Sequence, residues 1–294
     1  MLNLPNLDRF NFETQNVLYV GAGGGFDVFG ALPLVQDFNC AAFANISASG
    51  DKFVVRAPEE QDYPERHLWL EGYQTWSIGR NGVQLMRKAL EEIRKEFPFD
   101  TIVAIDGGVD SLMRGDEAEA GTYLEDIIML TAIDQVPCYN KILACVGMGS
   151  ETEENMNHYR ALENMSHYAK LGGFLGACSL QKDSPDFNRY QAVCENAWSQ
   201  GRKSHIHTKI ISSVQGYFGD EIMYDNVDPN LVQESGNPNF ISLLSSIYWF
   251  FDLPTVVKSN LLSAKLIQTN NFADAMLINR QFARKERSKE IIPL

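Results

Sequence analysis

Apolar residues in this chain follow two different periods, and their alternation sets the expected architecture. Short unbroken apolar runs at residues 17–20, 40–46, 101–105, 141–146 and 174–180 have the length of buried strands, and each ends in glycine or a polar turn. Helically spaced stretches lie between them. Residues 82–97 carry Val83, Leu85, Met86, Leu90, Ile93 and Phe97 on that spacing, with Pro98 as a stop. Residues 123–133 and 151–171 repeat the pattern, the second closed by Gly172 and Gly173. Residues 26–38 predict a helix after the first strand through Val28, Phe29, Leu32, Val35 and Phe38. Pro33 marks a kink or restart within it, because proline lacks an amide donor and crowds the preceding turn.

Residues 51–82, rich in proline, glycine and charge, read as an excursion with short elements. Beyond Asp183 the regularity falls: a helix over 190–200, an apolar run at 210–218, a turn-rich stretch at 225–239, apolar runs at 240–251 and 254–267, and a helix over 272–282. Strands alternating with helices over the first 180 residues argue for an α/β fold with a mostly parallel sheet. We expect one domain whose C-terminal third completes or covers that sheet; a boundary near Asp183 is the alternative.

Composition narrows the function classes. With 294 residues, 45% of them apolar, the chain can bury a core without disulfides. The five cysteines, Cys40, Cys138, Cys145, Cys178 and Cys194, are odd in number and scattered, which fits reduced thiols better than a disulfide ladder or zinc knuckles. A net charge of −13 argues against a nucleic-acid polymer as partner. The basic run at residues 280–289 also carries Glu286 and reads as a solvated helix face. A basic, apolar leader and a membrane-length segment are both lacking, so a cytoplasmic location is expected.

The candidate chemistry sits where strands end. Gly21-Ala22-Gly23-Gly24-Gly25-Phe26-Asp27 leaves the first strand, and glycines there let backbone amides approach an anion at a helix N-terminus. Phe26 stands where a dinucleotide fingerprint needs its third glycine, and the lysine ending of a P-loop is absent. Asp51 is a candidate ribose-binding acid after the second strand. Asp27 either caps the following helix or contacts a hydroxyl or cation of the ligand.

A second constellation leaves the strand at 101–105: Asp106, Gly107, Gly108, Asp110, Ser111, Arg114, Asp116 and Glu117. Loops at the carboxyl ends of parallel strands share one edge, so Asp106 and Asp110 can converge on Asp27. Convergent carboxylates suit a Mg2+ site or general acid/base work, since hard cations take oxygen ligands. A salt-bridged, solvated loop is the plain alternative. Arg114 is a candidate to grip a phosphate. Ser111 is a nucleophile only by proximity, and Asp126 points either at this edge or into solvent. His205 and His207 alternate, which on a strand would put both imidazoles on one face as metal or phosphate ligands. The aromatic groups at 69–76 and 248–251 serve a core or stack on a base, and the run at 247–253 forms core or a contact with a second copy.

Gly23–Asp27 with Ala31, Leu32 and Pro33, followed by Asp106–Leu112 and Arg114–Glu117, resembles the domain of unknown function 1152 family in motif order over roughly the first 150 residues. The resemblance implies a Rossmann-like, three-layer α/β fold and one shared site, without a settled activity. Phe26 and Val109 depart from the expected pattern. The expected function is an enzyme that binds a small nucleotide-like or phosphorylated metabolite at the glycine loop. Asp27, Asp106 and Asp110 would assist hydrolysis or group transfer, with Gly21, Gly23, Gly24, Gly25, Gly107, Gly108, Arg114, His205 and His207 in the binding wall. A non-catalytic sensor or scaffold is the alternative.

Overall fold

The computed structural model describes residues 16–35, 37–47, 53–56, 58, 63–118, 120–152, 156–201, 203–224 and 240–286. Its strands are β1 (Val17–Gly21), β2 (Ala41–Ser47), β3 (Val54–Arg56), β4 (Thr75–Gly79), β5 (Thr101–Asp106), β6 (Asn140–Cys145), β7 (Phe174–Ser179) and β8 (Ile247–Asp252). They form one eight-stranded sheet in the order β3-β4-β2-β1-β5-β6-β8-β7. β4, β2, β1, β5 and β6 run parallel, whereas β3 and β8 are antiparallel to their neighbours. The chain therefore winds outward from β1 through β2 to β4, then returns to the other side of β1 to lay down β5 and β6. The strand order reverses between β1 and β5.

Period-two alternation sends successive side chains to opposite faces, and both faces are covered. Leu18, Val20, Ala44, Ile102 and Leu143 pack under α2 (Val83–Glu96), α3 (Leu124–Gln135), α4 (His158–Lys170), the short α7 (Leu253–Ser259) and α8 (Ser263–Leu266), and α9 (Phe272–Glu286). Tyr19, Phe43, Val103, Ile105 and Ala144 pack under α5 (Pro185–Ser199) and α6 (His205–Gln215), beside α1 (Glu65–Leu70). Each fully buried leucine or phenylalanine in these layers contributes about 2 kcal/mol.

The strands expected at 17–20, 40–46, 101–105, 141–146 and 174–180 and the helices expected at 82–97, 123–133 and 272–282 are present within a few residues of their predicted ends. Four readings change. The segment after β1 is a 3-10 helix, Asp27–Leu34, with Pro33 inside it and Gly30 pressed so close to Ile105 that a Cβ would lie 2.9 Å from its Cγ2. The excursion at 51–82 hides β4, whose Trp76 and Ile78 are core residues. Asp51 lies outside the described residues. The helix expected from 151 begins at His158, capped by Asn157, whose side chain accepts from the Tyr159 amide. Finally, His205 and His207 open α6 rather than a strand.

The run at 247–253 is core, since β8 sits between β6 and β7 with Tyr248, Phe250, Phe251 and Leu253 buried. Trp76 is likewise core. All five cysteines are free; Cys145 and Cys194 are buried, and the other three are partly exposed. Among the described residues no helix is long and apolar enough to cross a membrane.

Candidate functional site

The carboxyl ends of β1 and β5 lie side by side, with Gly21 in register with Ile105 and the Ala22 amide bonded to the Ile105 carbonyl at 2.8 Å. The glycine loop and the aspartate loop thus leave one edge at the strand-order reversal, where open α/β sheets hold their ligands. Asp27 joins them. Its Oδ2 accepts from the Gly23 amide at 2.7 Å and its Oδ1 from the Gly107 amide at 3.3 Å.

Asp106, the last residue of β5, turns its carboxylate to Ser111, which donates both its amide and its hydroxyl to Oδ2. Ser111 Oγ also lies 3.4 Å from Cys145 Sγ, whose pKa burial pushes far up, so Cys145 is not a prepared nucleophile. Asp110 accepts from the Thr122 amide at 2.9 Å and from its hydroxyl at 3.3 Å, which anchors the turn entering α3. That anchor sets the direction of the first turn of α3, which carries Asp126.

Asp126 is the residue the sequence left at a fork, and it points inward. One carboxylate oxygen from each of Asp27, Asp106 and Asp126 lies within 4.8 Å of the others. Asp126 is 3% exposed and its Oδ1 is buried without a hydrogen-bond partner. Burial pushes its pKa well above the usual carboxylate range, and Asp110, Asp106, Asp27 and Glu151 push in the same direction. Gly23 keeps the enclosure open, because a Cβ there would lie 2.9 Å from both Asp126 oxygens and 3.1 Å from Asp27 Oδ2. Gly24 has a φ of 88°, a left-handed backbone that disfavours any side chain.

Two contributors come from further along the chain. Glu151, just beyond β6, accepts from the Val109 amide at 2.6 Å, and its carboxyl occupies the space a Gly108 side chain would need. Its sequence context reads as a helix start, so nothing local marks it. His207 arrives from the opposite layer, aimed by Ser204, whose hydroxyl accepts the His207 amide and caps α6. Its Nδ1 is hydrogen-bonded to the Tyr190 hydroxyl, and its buried Nε2 faces the Gly107 backbone. Burial lowers the His207 pKa to about 4, the Phe26 backbone opposing the shift, so the ring is neutral near pH 7.

The expected pairing of His205 with His207 fails for a geometric reason: positions i and i+2 on a helix lie roughly 200° apart. His207 is buried and His205 only partly so. The Arg114 Nε donates to the Ser259 carbonyl at 3.4 Å, and its amide to Glu117 at 3.0 Å, which ties it to the α7 side of the loop. Gly21, in contrast, sits under the site, where a Cβ would collide with Asn45 Oδ1 at 2.0 Å, and Gly25 offers its carbonyl to Asn45 Nδ2 at 2.8 Å.

The fold and the site together define an α/β protein with a carboxylate-rich enclosure at the point where its strand order reverses. The family described as "Protein of unknown function (DUF1152)" matches residues 77–286, most of the chain, and the chain belongs to that family. The matched residues include Asp106, Asp126, Glu151 and His207 and extend well past residue 150; the glycine loop precedes them. No curated protein and no solved structure matches the chain.

Proposed function

We propose that this chain is a Rossmann-like enzyme that binds a small nucleotide-like or phosphorylated metabolite at the β1/β5 edge and hydrolyses it or transfers a group from it. The carrying observation is the Asp27 bridge: one carboxylate ties the glycine loop to the Gly107 loop, beside Asp106 and the unsatisfied oxygen of Asp126. Backbone amides of the glycine loop take the anionic end of the ligand, and the carboxylates face its reacting group.

In hydrolysis, a carboxylate accepts a proton as water attacks; the new bond to oxygen forms while the bond to the leaving group breaks, and the leaving group carries away a proton. Ser111 orients Asp106 and two amides direct both oxygens of Asp27, so these two carboxylates suit the holding and orientation of the ligand's reacting group. Asp110 acts through Thr122 as the support of Asp126. Arg114 remains on the far side of the loop in this reading.

The occupied oxygens of Asp106 and Asp110 favour one second reading, a rigid non-catalytic sensor or scaffold that binds the same ligand. Purified protein assayed against a panel of nucleotides and phosphorylated metabolites, with phosphate release and thermal shift as readouts, separates the two. The enzyme reading expects turnover that an Asp106→Asn/Asp110→Asn double variant loses. Ligand-induced stabilisation unchanged in that variant, without turnover by the wild type, favours the sensor. No shift and no turnover with any compound overturns both.

A further inference from the structure

An anion cannot approach a nest of carboxylates without a counter-charge, and the neutral His207 does not supply one. The geometry points to a divalent cation of the magnesium or manganese class, held by one oxygen each of Asp27, Asp106 and Asp126. This deepens the function proposed above and rests on that reading only for the cation's purpose, not for its existence.

Three features carry it. One oxygen from each of the three carboxylates lies within 4.8 Å of the others, so side-chain shifts of a few tenths of an ångström close them on one ion with bonds of about 2.1 Å. Asp126 Oδ1 is sealed from water without a donor, and a cation is the partner that satisfies a carboxylate oxygen in such a place. The ligands are also held by an outer set: amides of Gly23 and Gly107 direct Asp27, and Ser111 directs Asp106. Such outer contacts fix the orientation of metal-binding side chains.

The donor set selects the metal class. All three donors are hard oxygens, the ligand type that hard divalent cations take. One oxygen from each side chain leaves about half of a six-coordinate shell for water and ligand oxygens, as magnesium prefers. His207 Nε2 sits across from Gly107, beside Asp27 and outside the three-carboxylate group.

Mn2+ titration of chelator-treated full-length protein, followed by water-proton relaxation and competed with Mg2+, tests the site without any substrate. One Mn2+ per chain, displaced by Mg2+ and weakened ~10-fold or more in Asp126→Asn and in Asp106→Asn, is the expected result. Circular dichroism of each variant confirms that it is folded. Absence of binding by folded wild type at millimolar Mn2+, or equal binding by both folded variants, overturns the site. Turnover of a phosphorylated metabolite that persists in chelator also overturns it while leaving the proposed function standing. Stoichiometric, Asp126-dependent binding without turnover of any compound supports the site and counts against the function.

Discussion

A lone buried acid and a buried cluster of acids flank β1, and they are built to opposite ends. On the β2 side, Glu65 is fully enclosed, yet both of its oxygens have donors: Ser77 Oγ to Oε1 at 2.5 Å and Asn45 Nδ2 to Oε2 at 3.0 Å. Asn45 also reaches the Gly25 carbonyl, so this acid and its donors brace the glycine loop from below. On the β5 side, Asp126 is just as deeply buried but one of its oxygens is unmatched, among carboxylates that raise its pKa further. A satisfied buried acid rigidifies a fold, whereas an unsatisfied one costs stability and implies a partner from outside the chain.

The comparison breaks most visibly at Glu65. Glu65→Ala strands the Ser77 hydroxyl and the Asn45 amide in a sealed site, so we expect a loss of about 3 kcal/mol in urea denaturation. A loss under 0.5 kcal/mol would remove the bracing role.

A pH series sharpens the same point. Burial raises the Glu65 pKa from an ordinary 4.5 to about 7, so the folded state binds a proton that the unfolded chain has released. Its contribution is complete below pH 4.5 and is lost as pH rises to 7, a change of roughly 2 to 3 kcal/mol. His207 runs the other way: its pKa falls from 6.5 to about 4, so its contribution is present above pH 6.5 and is lost as pH falls toward 4. Denaturation at pH 5 and pH 8 should show Glu65→Gln losing much less stability than wild type over that interval. Parallel curves for the two proteins would refute the Glu65 assignment.

Asp126→Asn tests the unsatisfied side, and there the sign reverses. Removing a carboxylate from a crowded, like-charged enclosure should raise the stability of metal-free protein at pH 8 by about 1 kcal/mol, with ligand binding lost. Destabilisation by a similar amount would mean that Asp126 is structural after all. The smallest effect is expected at the histidines' misread partner: His205→Ala should change stability by no more than about 0.5 kcal/mol. An effect as large as that of His207→Ala would bring His205 back to the site.

What could be read in the sequence followed locality. β1 and β5, each a continuous apolar run ending in glycine or Asp106-Gly107-Gly108, announced both their type and the edge they share, so Asp27 and Asp106 were brought together in advance. β4 was hidden because its Thr75 and Ser77 look polar, and their burial depends on contacts made elsewhere, such as that of Ser77 with Glu65 on α1. Asp126, Glu151 and His207 reach the edge from two different layers, and no short-range period encodes that meeting. The His205–His207 spacing carried a signal whose meaning changes with the backbone: one face on a strand, nearly opposite faces on a helix.

The position of β8 bears on how the chain is made. β7 is synthesised well before residues 247–252, yet in the finished sheet its hydrogen-bonded neighbour is β8, which separates it from β6. A growing chain therefore emerges with the β6 edge open and β7 still awaiting its neighbour, the kind of unpaired edge that recruits other chains. Closure of that margin waits for residues 247–252, so the sheet is completed only after α5 and α6 have followed β7 out of the ribosome.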